Sequence, residues 1–254
     1  MANTETARPL RWHERLAHPG QFLAWSRHLL WPLALLGALL FAWGLWLSLF
    51  ASPDDYQMGA TVRIMYIHVP NAWLSQLTYG VMAVSAIGTL VWRHPMADVS
   101  MKAAAPLGAV FTVLALFTGA LWGRPTWGTF WEWDGRMTST LVLLFIYLGL
   151  IALWQAFDDK LRAARLVAVV TLVGAINIPV IKFSVDWWNT LHQPASVFVE
   201  GGPRMPMSIL MPLLVMTGAF TVLFLLLHTV SMRTEVMARK LSALERRRAL
   251  EPGK

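Results

Sequence analysis

The residues best suited to do chemistry in this sequence are two histidines and the tryptophan-rich segment between them. His68 lies in IMYIHVPNAW and His192 lies in DWWNTLHQP, each next to a long apolar run. A neutral imidazole is a common metal ligand, and two imidazoles from opposite sides can hold a haem iron axially. Two polar residues satisfied at helix ends would look the same, so the histidines alone leave both interpretations open.

Residues 122–139, WGRPTWGTFWEWDGRMTS, combine large aromatic surfaces with charges. A haem is a flat apolar disc with two carboxylates on one edge. Indole rings can pack against such a disc, and arginines can form bidentate pairs with its carboxylates. The residues in this segment that could do so are Trp122, Trp127, Trp131, Trp133, Arg124 and Arg136, with Arg63 and Arg204 on neighbouring connections.

An aromatic belt is the plain alternative for these tryptophans, since Trp is enriched at both membrane interfaces. A belt is diffuse along a chain, whereas this cluster is dense. If the chain is helical from Thr126 onward, Trp127, Trp131 and Asp134 fall near one face. We therefore predict a short amphipathic helix on the outer leaflet. Asp134 either contacts the ligand or pairs with Arg136 to fix the loop.

Membrane spans must position these residues. The chain has 254 residues, of which 56% are hydrophobic, against about 45–50% in soluble domains. A spanning helix needs about 20 mostly apolar residues, and six such runs occur. They lie at roughly 30–50, 72–92, 103–122, 139–157, 164–183 and 208–230. The sequence predicts an all-α, polytopic membrane protein with six transmembrane helices.

Lysine and arginine are unevenly distributed between the two sides of these spans. Six spans place both termini on one side, which carries 16 of the 21 basic residues. The positive-inside rule makes that side cytoplasmic, so both histidines and the tryptophan segment lie outside. We expect residues 1–29 to form a cytoplasmic or interfacial N-terminus, residues 30–230 the membrane domain, and residues 231–254 a basic cytoplasmic tail on the anionic inner leaflet.

The composition excludes several kinds of chemistry. Cysteine is absent, which rules out disulfides, Cys-ligated clusters and thiol catalysis. No nucleophile stands beside a base, so we assign no hydrolytic role. The spans are almost free of acidic residues, which disfavours a proton channel. Two alternatives without a haem site stay open, namely the permease subunit of an ABC exporter and a membrane scaffold whose tryptophan loop binds a partner protein.

These segments together resemble one known family. WGRPTWGTFWEWDGRMTS is similar to the tryptophan-rich WWD signature of the haem-handling proteins of cytochrome c maturation. IMYIHVPNAW and KFSVDWWNTLHQP resemble the two histidine loops of its haem exporter protein C (CcmC) members. The resemblance covers roughly residues 25–230, and Met137 stands where Leu is expected.

The resemblance implies a six-span protein of the bacterial inner membrane with its tryptophan segment on the periplasmic side. It implies that His68 and His192 are the axial ligands of the iron of haem b, carried as transient cargo. It also implies transfer to the periplasmic haem chaperone CcmE, with the small subunit CcmD and the ABC transporter CcmA/CcmB as further partners. Such a protein presents haem and is not a conventional enzyme. The complete candidate haem-binding set is His68, His192, Trp122, Trp127, Trp131, Trp133, Asp134, Arg124 and Arg136.

Overall fold

The computed structural model describes residues 18–193, 196–197 and 199–250, and its long regular elements are helices. Among these residues, six helical stretches are long and apolar enough to cross a membrane, which confirms the predicted all-α class and the predicted number of spans. The parts of the predicted N-terminus and basic tail at residues 1–17 and 251–254 lie outside the described residues. The spans run Pro19–Ala51, Ala60–Val91, Ala97–Trp127, Gly135–Gln155, Lys160–Trp187 and Met207–Leu250.

Seven α-helices build these spans. They are α1 (Pro19–Trp46), α2 (Met65–Val91), α3 (Ala97–Trp127), α4 (Gly135–Gln155), α5 (Lys160–Gly174), α6 (Asn177–Trp187) and α7 (Met207–Leu250). A π-helical turn, Leu47–Ala51, extends α1, and a 3-10 turn, Ala60–Ile64, precedes α2. Helices α5 and α6 form one interrupted span. Helices α2 and α4 begin at the same end of the bundle, and α3 and α6 terminate there. We call it the site end.

The main buried core lies between α2, α3, α4 and α5. Small residues on α3 let its neighbours approach closely; a Cβ added to Gly108 would lie 2.1 Å from the Tyr147 ring. Two buried tyrosines tie the helices together through hydrogen bonds. The Tyr147 hydroxyl donates to the Ser75 carbonyl at 2.7 Å, and the Tyr79 hydroxyl donates to the Thr171 carbonyl at 3.0 Å. Helix α2, which carries His68, is therefore fixed against α4 and α5.

Helix α7 is longer than its predicted apolar run. Its 44 residues correspond to about 66 Å, roughly twice the hydrocarbon thickness of a bilayer. Beyond residue 230 it continues to Leu250 without a break and packs against α3. There Arg239 pairs with Asp98 and Glu235 pairs with Lys102, each at 2.7 Å. The start of the predicted basic tail is thus a continuation of the last span's helix, and its contact with the leaflet stays a prediction.

The short tryptophan-rich helix predicted from Thr126 onward is not found. Helix α3 instead continues to Trp127 and ends at Gly128, whose φ of 82° is left-handed. Residues 129–134 are irregular, and Asp134 caps α4 by accepting a hydrogen bond from the Met137 amide at 2.7 Å. A left-handed glycine ends a helix, and an aspartate favours the N-cap position. These two end signals override the helical spacing of Trp127, Trp131 and Asp134.

Candidate functional site

His68 lies in the first turn of α2, and its imidazole is held by α3. Its Nδ1 lies 3.0 Å from the Ala115 carbonyl oxygen and 3.2 Å from the Thr118 hydroxyl. A carbonyl oxygen can only accept, so the proton of a neutral imidazole lies on Nδ1. Nε2 then carries the lone pair, which is the form in which a histidine binds a metal.

One face of α3 forms the wall against this ring. Gly119 makes room for it, because a Cβ there would lie only 2.9 Å from Cε1 of His68. Trp122 packs on the ring edge to face, with the two centroids 5.8 Å apart. Ala115, Gly119 and Trp122 follow one another at helical spacings of four and three, so they share one face of the helix. The position of the His68 ring is therefore set by α3 as much as by α2.

His192 lies in the irregular segment after α6, and its imidazole is held by Asp134. Nδ1 of His192 lies 2.7 Å from Oδ2 of Asp134. The Thr190 hydroxyl donates to the same carboxylate oxygen and accepts from the His192 amide at 3.1 Å. A carboxylate on one ring nitrogen fixes the tautomer and orients the other nitrogen, as it does around many metal-bound histidines. Here too Nε2 carries the lone pair.

The charges in this pair follow from burial and hydrogen bonding. Burial lowers the pKa of His192 below its ordinary value of about 6.5, and the nearby Arg136 acts in the same direction, which outweighs the opposing effect of Asp134. Burial would raise the pKa of Asp134, but hydrogen bonds from Thr190, the Met137 amide and His192 lower it overall. At neutral pH the site therefore holds a neutral imidazole against a charged carboxylate.

Helix α3 brings the two histidines to the same end of the bundle. Trp122 contacts His68, and Trp127 contacts His192 with ring centroids 4.7 Å apart. The two tryptophans are five residues apart on one helix, which is about 7.5 Å along its axis. The last turns of α3 thus contact both imidazoles.

The other two tryptophans of the segment follow the end of α3. Trp131 and Trp133 pack edge to face with centroids 5.3 Å apart, and Trp133 is 73% exposed. Within the part of the chain that the structure describes, the buried indole N–H groups of Trp122 and Trp131 have no hydrogen-bond partner. A buried donor without a partner costs free energy, so an acceptor on a bound ligand would stabilise either indole.

The arginines differ in how far they are already engaged. Arg63 pairs with Asp54 at 2.6 Å. The Arg124 side chain is exposed, donates to the Gly128 carbonyl and lies 5.7 Å from the Phe130 ring.

Arg136 and Arg204 complete the set of candidate cations. Arg136 is half-buried in the first turn of α4 and lies near the charges of Asp134 and Asp186. Arg204 is exposed, and its backbone amide donates to the Ser196 carbonyl at 2.8 Å. Of the candidate cations, Arg124 and Arg136 belong to the same connection as the tryptophans.

Four residues that support the histidines were not predicted from the sequence. Ala115, Thr118 and Gly119 hold the His68 ring, and Thr190 joins Asp134 to the His192 backbone. The partner of Asp134 was also missed, since its carboxylate contacts His192 and forms no ion pair with Arg136. The one usable signal was the hydroxyl of Thr190 two residues before His192 in TLHQP.

Similar sequences occur among known proteins. The sequence model of the family described as Heme exporter protein C matches residues 12–247. A Heme exporter protein C from Bradyrhizobium diazoefficiens is 62% identical over 230 residues, which cover 91% of this chain and 87% of the relative. The Escherichia coli K12 protein of the same name is 52% identical over 158 residues, or 62% of each chain. A ccmC-like mitochondrial protein of Marchantia polymorpha, named for cytochrome c biosynthesis, is 45% identical over 191 residues, covering 74% of this chain and 81% of the relative.

The family match spans all six membrane helices and includes both histidines with the tryptophan segment between them. The chain therefore belongs to the Heme exporter protein C family.

Proposed function

We propose that this protein binds haem at its site end and presents it to a periplasmic haem chaperone during the biogenesis of c-type cytochromes. The observation that carries the proposal is that two histidines are held in the same tautomer. His68 and His192 each donate from Nδ1 to a fixed acceptor, which leaves Nε2 of each with a lone pair. Family membership supports the same cargo, since the relatives are named for haem export.

The ligand set fits haem better than a bare metal ion. Among the described residues, no three His, Asp or Glu side chains come together in a way that could hold an ion. A haem iron brings four nitrogen ligands of its own and needs only one or two from the protein. The two imidazoles therefore suffice for haem iron, whereas a free ion would lack ligands.

The tryptophans and arginines suit the rest of the haem. Trp122 and Trp127 contact the two imidazoles and would offer apolar surface to the porphyrin ring. Trp131 and Trp133 pack against each other and would add further indole surface. Arg124 and Arg136 would hold the propionates, because a guanidinium matches a carboxylate in a bidentate pair.

Asp134 supports this function through His192, since its carboxylate is already bonded to that imidazole. With both imidazoles bound, the two axial positions of the iron would be filled, so oxygen would find no open site while a vinyl edge could be offered to the chaperone. The protein would hold and orient haem b while a histidine of the chaperone CcmE forms the new bond to a vinyl group. CcmD and the ABC transporter CcmA/CcmB would act as partners in the inner membrane.

Absorption spectroscopy of the purified protein tests the proposal. Protein purified in detergent should show a low-spin Soret spectrum, and His68→Ala or His192→Ala should lower the haem content or disturb that spectrum. His28→Ala is the matched control, because His28 is an exposed residue of α1. A colourless protein, or spectra unchanged in both site variants, would refute the axial assignment and favour a scaffold without haem.

The tryptophans are tested separately from the iron ligands. Changing Trp127 and Trp131 to Ala should weaken haem transfer to the chaperone without disturbing membrane insertion. Trp31→Ala serves as the control, since Trp31 is 83% exposed on α1. Normal transfer in the double variant would leave these residues in an aromatic belt.

A further inference from the structure

We infer, on the basis of the haem site proposed above, that the two axial histidines are unequal ligands. His192 is the stronger donor and keeps the iron, whereas His68 is the ligand that an incoming axial ligand displaces. The exchange is a simple substitution. The bond from Nε2 of His68 to iron breaks, a bond from a neutral incoming donor forms, and neither the oxidation state nor the proton count changes.

The acceptor behind each imidazole is the source of the difference. Nδ1 of His192 donates to a carboxylate at 2.7 Å, whereas Nδ1 of His68 donates to a peptide carbonyl at 3.0 Å. A charged acceptor draws the Nδ1 proton more strongly than a neutral one, and this raises the electron density on the other ring nitrogen. Nε2 of His192 is therefore the better donor to iron.

The Asp134 carboxylate is built to remain a charged acceptor. The residue is only 6% exposed, and its oxygens accept from the Met137 amide and from the Thr190 hydroxyl as well as from His192. These donors stabilise the charged form of the carboxylate, because each of them places a hydrogen-bond proton on its oxygens. No comparable charge stands behind His68, where the second contact is the neutral hydroxyl of Thr118.

Backbone structure alone would predict that His68, and not His192, is the ligand that stays on the iron. His68 stands on a regular helix, whereas His192 stands on an irregular segment that could move away from the iron. Thr190 opposes that motion, because its hydroxyl joins the His192 amide to the Asp134 carboxylate at the start of α4. We therefore assign Thr190 as a positioning residue, which holds His192 in place although His192 lies on an irregular segment.

Two single-histidine variants separate the ligands. His68→Ala leaves only His192 on the iron, and His192→Ala leaves only His68. In the reduced state, the resonance Raman frequency of the iron–histidine stretch reports how strongly the remaining imidazole donates. We expect a higher frequency and a higher retained haem content in His68→Ala than in His192→Ala. Equal frequencies, or the reverse order, would overturn the inference.

Asp134→Asn tests the cause. Asn is also a favourable N-cap residue, so its one oxygen can still accept from the Met137 amide at the start of α4. The oxygen that accepts from Nδ1 of His192 is replaced by an NH2 group, which cannot accept. The iron–histidine frequency in a His68→Ala background should fall, and the reduction potential of the protein with both histidines should rise because ferric iron loses a strong donor. Thr190→Val should give smaller shifts in the same directions, and Thr190→Ser should restore the original values.

The outcomes distinguish this inference from the proposed function. A wild-type protein without haem, or Soret spectra unaffected by either histidine variant, would refute the proposed haem site itself. If the wild-type haem has two histidine ligands but Asp134→Asn leaves its reduction potential unchanged, the haem site stands. The inference that His192 is the stronger donor is then refuted. If neither single-histidine variant retains haem, this potential measurement alone decides the question.

Discussion

Gly119→Ala is the substitution whose effect follows most directly from the structure. The added Cβ would lie 2.9 Å from Cε1 of His68, whereas ordinary contact begins at 3.4 Å. The imidazole must therefore move by about half an ångström. Its Nδ1 already lies 3.0 Å from the Ala115 carbonyl, and a shift of that size brings a hydrogen bond to the limit of useful geometry.

The expected magnitude combines two costs. A weakened hydrogen bond costs about 1 kcal/mol, and overpacking at a well-packed position costs about 1–3 kcal/mol. Part of this strain is relieved by rotation of the ring, so we assign about 1–2 kcal/mol to iron binding, which corresponds to a roughly 5- to 30-fold loss of haem affinity. Ligand geometry is sensitive at this scale, since a productive site holds its groups within about 0.5 Å.

Gly80→Ala is the matched control. Gly80 lies on α2, the helix that carries His68, and a Cβ there meets nothing within 4 Å. Both substitutions gain the same helix propensity, about 1 kcal/mol, so the difference between them isolates the contact with His68. The assay is haem content per protein after purification, together with the low-spin electron paramagnetic resonance signal. Equal haem content and identical spectra in the two variants would refute the role of Gly119.

Two further predictions concern pH and topology. The pKa of His192 is lowered while its imidazole is buried against Asp134. Opening of the segment that carries His192 therefore takes up a proton below about pH 6.5. The buried state loses stability relative to the open state as the pH falls, by at most about 1.4 kcal/mol per pH unit. Hydrogen exchange of the haem-free protein around residue 192 should show this dependence, and His192→Gln should abolish it. The chain has no cysteine, so single cysteines report topology directly. Tyr56→Cys, at a position 90% exposed near the site end, should react with an impermeant thiol reagent in whole cells, and Arg247→Cys should not; the opposite pattern would invert the predicted orientation.

The spans could be predicted from sequence because membrane insertion is decided by local composition. A run of about 20 apolar residues satisfies its backbone only as a helix in the bilayer, whatever its neighbours are. The six predicted runs therefore correspond to the six helical spans, although the helices extend further at their polar ends. Helix α3 shows why the ends were missed, since residues 123–127 are too polar to count as a span and yet continue its helix.

The support of each histidine could not be predicted because it depends on contacts between distant parts of the chain. Asp134 is 58 residues from His192, and Ala115 is 47 residues from His68. Spacing within one segment favoured a helix over Trp127 to Asp134, and the local alternative for Asp134 was the nearby Arg136. Packing of α6 and its following loop against the start of α4 decided otherwise, because a buried carboxylate needs donors and Thr190 and His192 supply them.

One stretch of chain, from the last turns of α3 to the start of α4, supports both imidazoles. The last turns of α3 hold His68 through Ala115, Gly119 and Trp122. Seven residues beyond the end of α3, Asp134 holds His192. The separation of the two rings is therefore governed by the length of the connection between α3 and α4, more than by the loops that carry the histidines. Residues 129–134 are irregular because α3 ends at Gly128 and Asp134 caps α4, and this connection places the Asp134 carboxylate against His192.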